Sequence, residues 1–249
     1  MIDRRFDLAD SQSAVKHRWN LLDGIRGPPV TEYDAVIFDN DGVLVTPPAP
    51  ETQAMATKTA FRDVGIERVE RSHVDELITG VSPERLDDIC DHYDIDSKLF
   101  WSAWERRDEQ SQLEKFETGD RGLYDDVTVV ETITRPCAVV SNNHHSTIGF
   151  VIEFFDMEGL FETYYGREKT IESLARQKPN THYLDRALTE LDAESAIYVG
   201  DTERDVIAAD RAGIDSVYLY RPHSEDLDPS TSPTHTVSTL EELPAILRG

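Results

Sequence analysis

The sequence predicts a doubly wound α/β fold, a parallel sheet carrying a helical domain inserted after its first strand. Three observations lead there. Five short runs, at 35–38, 137–140, 163–165, 196–199 and 216–219, have the length and composition of strands buried on both faces. Segments of helical period separate the last four of them. Between 47 and 119 that rhythm stops, and the pattern is helical throughout.

Taken in order, residues 1–32 precede the first strand. Phe6, Leu8, Ala14, Val15, Trp19, Leu21 and Leu22 are spaced for a helix, which Gly27-Pro28-Pro29 breaks. This segment carries no chemistry and reads as a docking extension or an oligomer contact. The strand Ala35-Val36-Ile37-Phe38 runs directly into Asp39-Asn40-Asp41-Gly42-Val43-Leu44. Helices are expected near 52–64, 73–78, 83–93 and 98–116, with Ser82-Pro83 a good helix start. Val127, Val130, Glu131 and Ile133 suggest a helix before the second strand. Ile148, Val151, Ile152 and Phe155 suggest one after it. Tyr183, Leu184, Ala187, Leu188 and Leu191 form the next. Val206, Ile207, Ala209 and Ala212 form the last, stopped by Gly213. The expected division is an extension at 1–32, a core at 33–46 and 120–249, and a helical cap at 47–119.

Composition narrows the function. The chain of 249 residues holds 49 Asp+Glu against 25 Lys+Arg, a net charge of −24. A phosphate-backbone binder needs a basic face, so nucleic acid is excluded as a partner, and an anionic membrane is disfavoured for the same reason. Acidity with scarce lysine resembles the composition of halophilic archaeal proteins, whose self-repulsion high salt would screen. Cys90 and Cys137 suggest neither a disulfide framework nor a zinc site. No run approaches transmembrane length, and residues 1–10 are too charged for a signal peptide. A soluble cytoplasmic protein is expected, its oligomeric state open.

The chemistry is expected at strand ends. Asp39 and Asp41 follow a buried strand two residues apart. Paired carboxylates repel, and usually need a cation or a shared proton. Mg²⁺ accepts such oxygen ligands; an acidic turn is the simpler alternative. Ser141 and Asn142 end the second strand and suit either a phosphate or a helix cap. Lys178-Pro179 offers an ammonium or a solvated loop lysine. In Gly200-Asp201-Thr202-Glu203-Arg204-Asp205, Asp201 could cap the helix. Asp205, one turn on, suits a metal shell better than a cap.

Together these residues resemble the haloacid dehalogenase-like hydrolase superfamily over about 33–222. The matching motifs are Asp39-x-Asp41-Gly42-Val43-Leu44, Ser141-Asn142, Lys178-Pro179 and Gly200-Asp201-x-x-x-Asp205, followed by Ala208-Ala209-x-x-Ala212-Gly213. The insert resembles the small helical cap of phosphoglycolate phosphatase-like and β-phosphoglucomutase-like members. Residues 123–127 resemble the point where such chains re-enter the core.

The resemblance implies Asp39 as nucleophile through an aspartyl-phosphate, and Asp41 as proton donor and then base. It implies Mg²⁺ as cofactor, held by Asp39, the Asp41 carbonyl, Asp201 and Asp205. Ser141, the Asn142 backbone and Lys178 would cradle phosphoryl oxygens. The expected substrate is a small phosphate monoester. A phosphomutase, a non-enzymatic binding protein on the same scaffold and a dehalogenase are the alternatives, the last disfavoured by Asp41. His73, Arg85, Trp101, Trp104, Arg106 and Arg107 are cap residues within reach of a substrate, with packing the simpler reading for each. His144 and His145 are expected on the solvent side of a helix start.

Overall fold

Alternation along the first strand organises the molecule. The computed structural model describes residues 33–224 and 231–248. Strand β1 (Ala35–Phe38) is wholly buried. Val36 and Phe38 face one apolar cluster, with Val139, Ile148 and Val151, while Ala35 and Ile37 face another, with Tyr183, Leu184 and Ala208. A strand whose both faces are covered must be apolar at every position, which is why the pattern in this region is a run and not an alternation.

The sheet follows from that central strand. Strand β2 (Cys137–His144) and strand β3 (Thr163–Arg167) lie to one side of β1. Strands β4 (Ala196–Gly200), β5 (Asp215–Leu219) and β6 (His235–Val237) lie to the other. The order is β3-β2-β1-β4-β5-β6, and every pairing is parallel. The five expected strands are present. The sixth, β6, escaped the sequence reading because only Val237 of its three residues is buried. Winding reverses between β1 and β4, so their carboxyl ends flank the crevice where open sheets bind ligands.

Four helices fill the chain between β1 and β2. They are α1 (Pro50–Asp63), α2 (Arg71–Thr79), α3 (Pro83–His92) and α4 (Ser97–Glu117). They share an apolar cluster of their own, including Phe61, Leu77, Leu86, Ile89, Phe100 and Trp101. Ser82 caps α3 by accepting from the Arg85 amide at 3.2 Å, and Asp96 caps α4. The two connections to the sheet run side by side, with the Thr46 amide donating to the Gly122 carbonyl at 2.9 Å and the Tyr124 amide to the Leu44 carbonyl at 3.0 Å.

Residues Asp125–Thr132 differ from expectation. They form 3₁₀ turns instead of an α-helix. Val127 and Val130, both buried, are three residues apart, a spacing that a three-residue turn stacks on one face. The remaining helices are α5 (His145–Phe154), α6 (His182–Glu190), α7 (Glu203–Ala212) and α8 (Leu243–Ile246). Gly213 ends α7 at φ 73°, the left-handed conformation that glycine adopts without a Cβ penalty. Among the described residues no helix is long and apolar enough to cross a membrane. The expected extension at 1–32 lies outside the described residues.

Candidate active site

Three carboxylates converge where β1 and β4 end. Asp39 leaves β1, Asp201 leaves β4, and Asp205 sits on the first turn of α7. Their oxygens approach within 4.8 Å of one another, and all three residues are buried. Two glycines permit the approach. A Cβ on Gly42, whose φ is +82°, would lie 2.0 Å from Asp201 Oδ2. A Cβ on Gly200 would lie 2.2 Å from the Asp205 Cβ.

Lys178 offsets part of this charge. Its Nζ lies 2.9 Å from Asp39 Oδ2 and 2.7 Å from Asp205 Oδ1, and donates to the Tyr198 hydroxyl at 2.6 Å. Burial alone would lower the Lys178 pKa, but the Asp205 and Asp39 carboxylates push it above its usual value. Burial lifts Asp39 to about 7, against the pull of Lys178 and with the Asp205 and Asp201 carboxylates adding to the rise. Asp201 is also raised by burial, with His223 opposing.

Asp205 does two things at once. Its Oδ2 accepts from the Thr202 amide at 3.0 Å and hydroxyl at 2.6 Å, closing a capping box on α7, while Oδ1 pairs with Lys178. The cap is built by Thr202 and Asp205, not by Asp201. Asp201 Oδ2 lies 2.8 Å from His223 Nε2, while its Oδ1 is buried with no hydrogen-bond partner among the described residues. An orphaned carboxylate oxygen in a cluster of three acids is the environment a hard divalent cation satisfies. The donor set, oxygen only, suits Mg²⁺.

Ser141 and Asn142 lie on β2 itself, which runs on to His144, so neither is a helix cap. The β2–β3 register breaks between Val140 and His144, an irregularity that re-aims side chains at the strand's end. Ser141 Oγ accepts from the Asn143 amide at 3.3 Å. The Asn142 side chain pins the lysine loop, with its Oδ1 accepting from the Lys178 amide at 2.7 Å and its Nδ2 donating to the Lys178 carbonyl at 3.1 Å.

Asp41 is half-buried and held from several elements. Arg121 Nη2 donates to its Oδ1 at 2.5 Å, and Asn143 Nδ2 to its Oδ2 at 2.6 Å. Its side chain is not part of the three-acid cluster. Arg121 and His223 carry no motif signal in the sequence, and Asn143 directly follows Ser141-Asn142 without belonging to the motif; each meets its acid only through the fold.

The four acids, Lys178, Ser141, Asn142, Asn143 and His223 open onto one cavity of about 690 Å³, with Arg121 behind its wall. Trp101 and Trp104 line it, stacked with centroids 4.7 Å apart. The other cap candidates are occupied elsewhere. Arg85 pairs with Glu76, Arg106 and Arg107 pair with Asp63, and His73 lies 2.9 Å from the Tyr93 hydroxyl. His145 is exposed as expected, but His144 is fully buried against Glu105 and Arg167. The pattern that suggested a solvated helix start missed that β2 carries His144 inward.

A parallel α/β sheet with acids at two strand ends, a paired lysine and a helical layer overhead defines a class of hydrolase sites. The chain belongs to the haloacid dehalogenase-like hydrolase family, whose model matches residues 36–219. No curated protein sequence matches it. Among solved structures, CbbY from Rhodobacter sphaeroides in complex with phosphate is similar at 19% identity and TM-score 0.67, over 86% of this chain and 99% of that one. CbbY in complex with xylulose-(1,5)bisphosphate gives 18% identity and TM-score 0.68, over 87% and 100%. A structure from Haemophilus somnus described as a predicted phosphoglycolate phosphatase gives 20% and 0.63, over 87% and 98%. The halophilic source that the composition suggested draws no support from these matches.

Proposed function

We propose that this hydrolase is a phosphatase acting on a small-molecule phosphate monoester, with Mg²⁺ as cofactor and a cytoplasmic site of action. The observation that carries the reading is the placement of Asp39. Its carboxylate lies 2.9 Å from the Lys178 ammonium, within a three-acid cluster containing an Asp201 oxygen with no partner among the described residues. The CbbY complexes with phosphate and with a sugar bisphosphate support a phosphate ester as substrate.

In this mechanism an Asp39 oxygen attacks phosphorus and the ester oxygen leaves, taking a proton from Asp41. The product of that step is an aspartyl-phosphate. Asp41 then draws a proton from water, the water oxygen attacks phosphorus, and Asp39 is released with inorganic phosphate. Lys178 holds Asp39 in place and offsets negative charge on the phosphoryl oxygens as it spreads in the transition state. Ser141, on β2 and lining the cavity, would receive a phosphoryl oxygen. Asp39, Asp201 and Asp205 would hold Mg²⁺, with the Asp41 carbonyl as a further oxygen donor. The bound cation supplies positive charge that a chain of net charge −24 otherwise lacks at this point. Residues 47–119 act as a cap over a core of 33–46 and 120–249, excluding water from the cavity and setting which leaving group fits.

The test is a panel of phosphate monoesters assayed with Mg²⁺ at low and at molar salt. Turnover is expected for at least one ester. Asp39→Asn is expected to abolish it while circular dichroism stays native, and exhaustive EDTA treatment to abolish it reversibly. Undiminished turnover by the Asp39→Asn protein would refute the assignment.

A further inference from the structure

Asp41 is the one acid of the site whose two oxygens are both held by side chains that no motif contains. Arg121 Nη2 donates to Oδ1 at 2.5 Å, and Asn143 Nδ2 donates to Oδ2 at 2.6 Å. Arg121 is itself immobilised. Its Nε donates to the Thr46 carbonyl at 2.9 Å, its Nη1 donates to Gln112 Oε1 at 3.0 Å, and its guanidinium lies 4.3 Å from the centroid of the Phe116 ring. It is 5% exposed. Gln112 links the two holders, since Asn143 Nδ2 also donates to Gln112 Oε1 at 2.7 Å.

These contacts come from three places. Gln112 lies on α4, the last helix of the inserted layer. Arg121 lies on the connection back to the sheet, and Asn143 lies near the end of β2. A carboxylate on a turn has free rotation about two bonds, and a proton-transfer group must sit within hydrogen-bond reach of its target. A planar guanidinium with every edge engaged removes that freedom at little further entropy cost.

We propose that Arg121 is a positioning residue for Asp41, and that Gln112 and Asn143 complete a clamp tying the acid–base carboxylate to the helical layer. This rests on the reading of Asp41 as the proton-transfer group. The clamp orients Asp41 toward the leaving oxygen and makes the geometry of proton transfer depend on the seating of α4 against the sheet.

The experiment compares two esters that differ in their need for a proton. An aryl phosphate such as p-nitrophenyl phosphate expels a stable phenolate without help, whereas an alkyl phosphate such as glycerol phosphate does not. Wild type, Asp41→Asn, Arg121→Met, Arg121→Lys and the double variant Asp41→Asn/Arg121→Met are assayed on both with Mg²⁺. Melting temperatures identify any variant that fails to fold. Arg121→Met is expected to lose about 100-fold or more on the alkyl ester, much less on the aryl ester, and nothing further once Asp41 is already Asn. Arg121→Lys is expected to recover part of the alkyl-ester rate. Equal losses on both esters, or full additivity with Asp41→Asn, would overturn the proposal while leaving the phosphatase reading intact. That reading fails separately, if Asp39→Asn remains active, and the proposal then falls with it. Should Arg121→Met not fold, Arg121→Lys and Asn143→Ala carry the same two-ester comparison.

Discussion

Position 42 has no room for a side chain. The backbone there adopts φ +82°, and a methyl group would stand 2.0 Å from Asp201 Oδ2 and 2.4 Å from Asp201 Cγ. Gly42→Ala therefore combines left-handed strain with a clash against the carboxylate that would help hold the cation. Strain of this kind costs about 1–3 kcal/mol. The expected outcome is lower stability in urea, together with weaker binding of Mg²⁺ or Mn²⁺ measured by calorimetry. Unchanged cation affinity would separate Asp201 from the cation site. Cys137 illustrates the opposite case. It is buried, its thiol is pushed up to about 12 by burial, and it behaves as a core residue with no chemistry.

At the scale of elements, α4 meets the sheet through a buried charge cluster. Glu105 of α4 pairs with Arg167 at the end of β3, and His144 Nε2 at the end of β2 lies 2.5 Å from Glu105 Oε2. Arg167 also faces the rings of Trp101 and Trp104 at 5.4 and 5.6 Å. Burial works against ionised Glu105, but the His144 hydrogen bond and the Arg167 charge outweigh it and leave its pKa below the usual 4.5. A carboxyl lowered in the folded state contributes stability above its unfolded pKa, and that contribution is lost as pH falls through the folded value. Wild type should therefore lose stability as pH drops below about 4.5. Glu105→Gln should be weaker near neutral pH by about 3–5 kcal/mol, because Arg167 is left buried without its acid. The two proteins should converge in acid. Parallel stability curves from neutral pH down to about pH 3.5 would count against this account.

Over the whole molecule the dominant quantity is net charge, −24 from 49 acids against 25 bases. Exposed ion pairs such as Lys115 with Asp120 contribute little in water. Unpaired acids on the surface repel one another over a Debye length of about 10 Å at 0.1 M salt, which shrinks to about 3 Å at 1 M. The unfolding midpoint should therefore rise between low salt and molar KCl, and association with anionic substrate should speed up over the same range. A midpoint that fell with KCl would show that attractive pairs outweigh the repulsion and would remove the case for salt adaptation. The same charge concentrates the burden of substrate attraction on the proposed cation and on Arg204, which lines the cavity and donates to the Thr79 carbonyl, because Arg121, Arg167 and Lys178 are already paired with acids.

Much of this protein was legible in the order of its residues, for a local reason. Strands buried on both faces are apolar at every position, helices repeat every 3.6 residues, and Asp39 and Asp201 directly follow such strands. Lys178 does not, since 3₁₀ turns at Ile171–Arg176 separate it from β3 and the next helix opens only at His182. The alternating clusters on the two faces of β1, the four helices before β2 and the convergence of Asp39, Asp201 and Asp205 match that pattern. Tertiary structure alone decided what surrounds the two motif acids. Arg121 reaches Asp41 across 80 residues and Asn143 across 102. His223 reaches Asp201 from the loop after β5, and His144 turns inward where an exposed helix start was expected. Such contacts leave no periodic or spacing signal, because they depend on which strand ends the winding of the sheet brings together. Residue order brings out the groups proposed for the chemistry, because they follow local elements; packing sets how each of them is held, because it depends on which distant segments the sheet brings together.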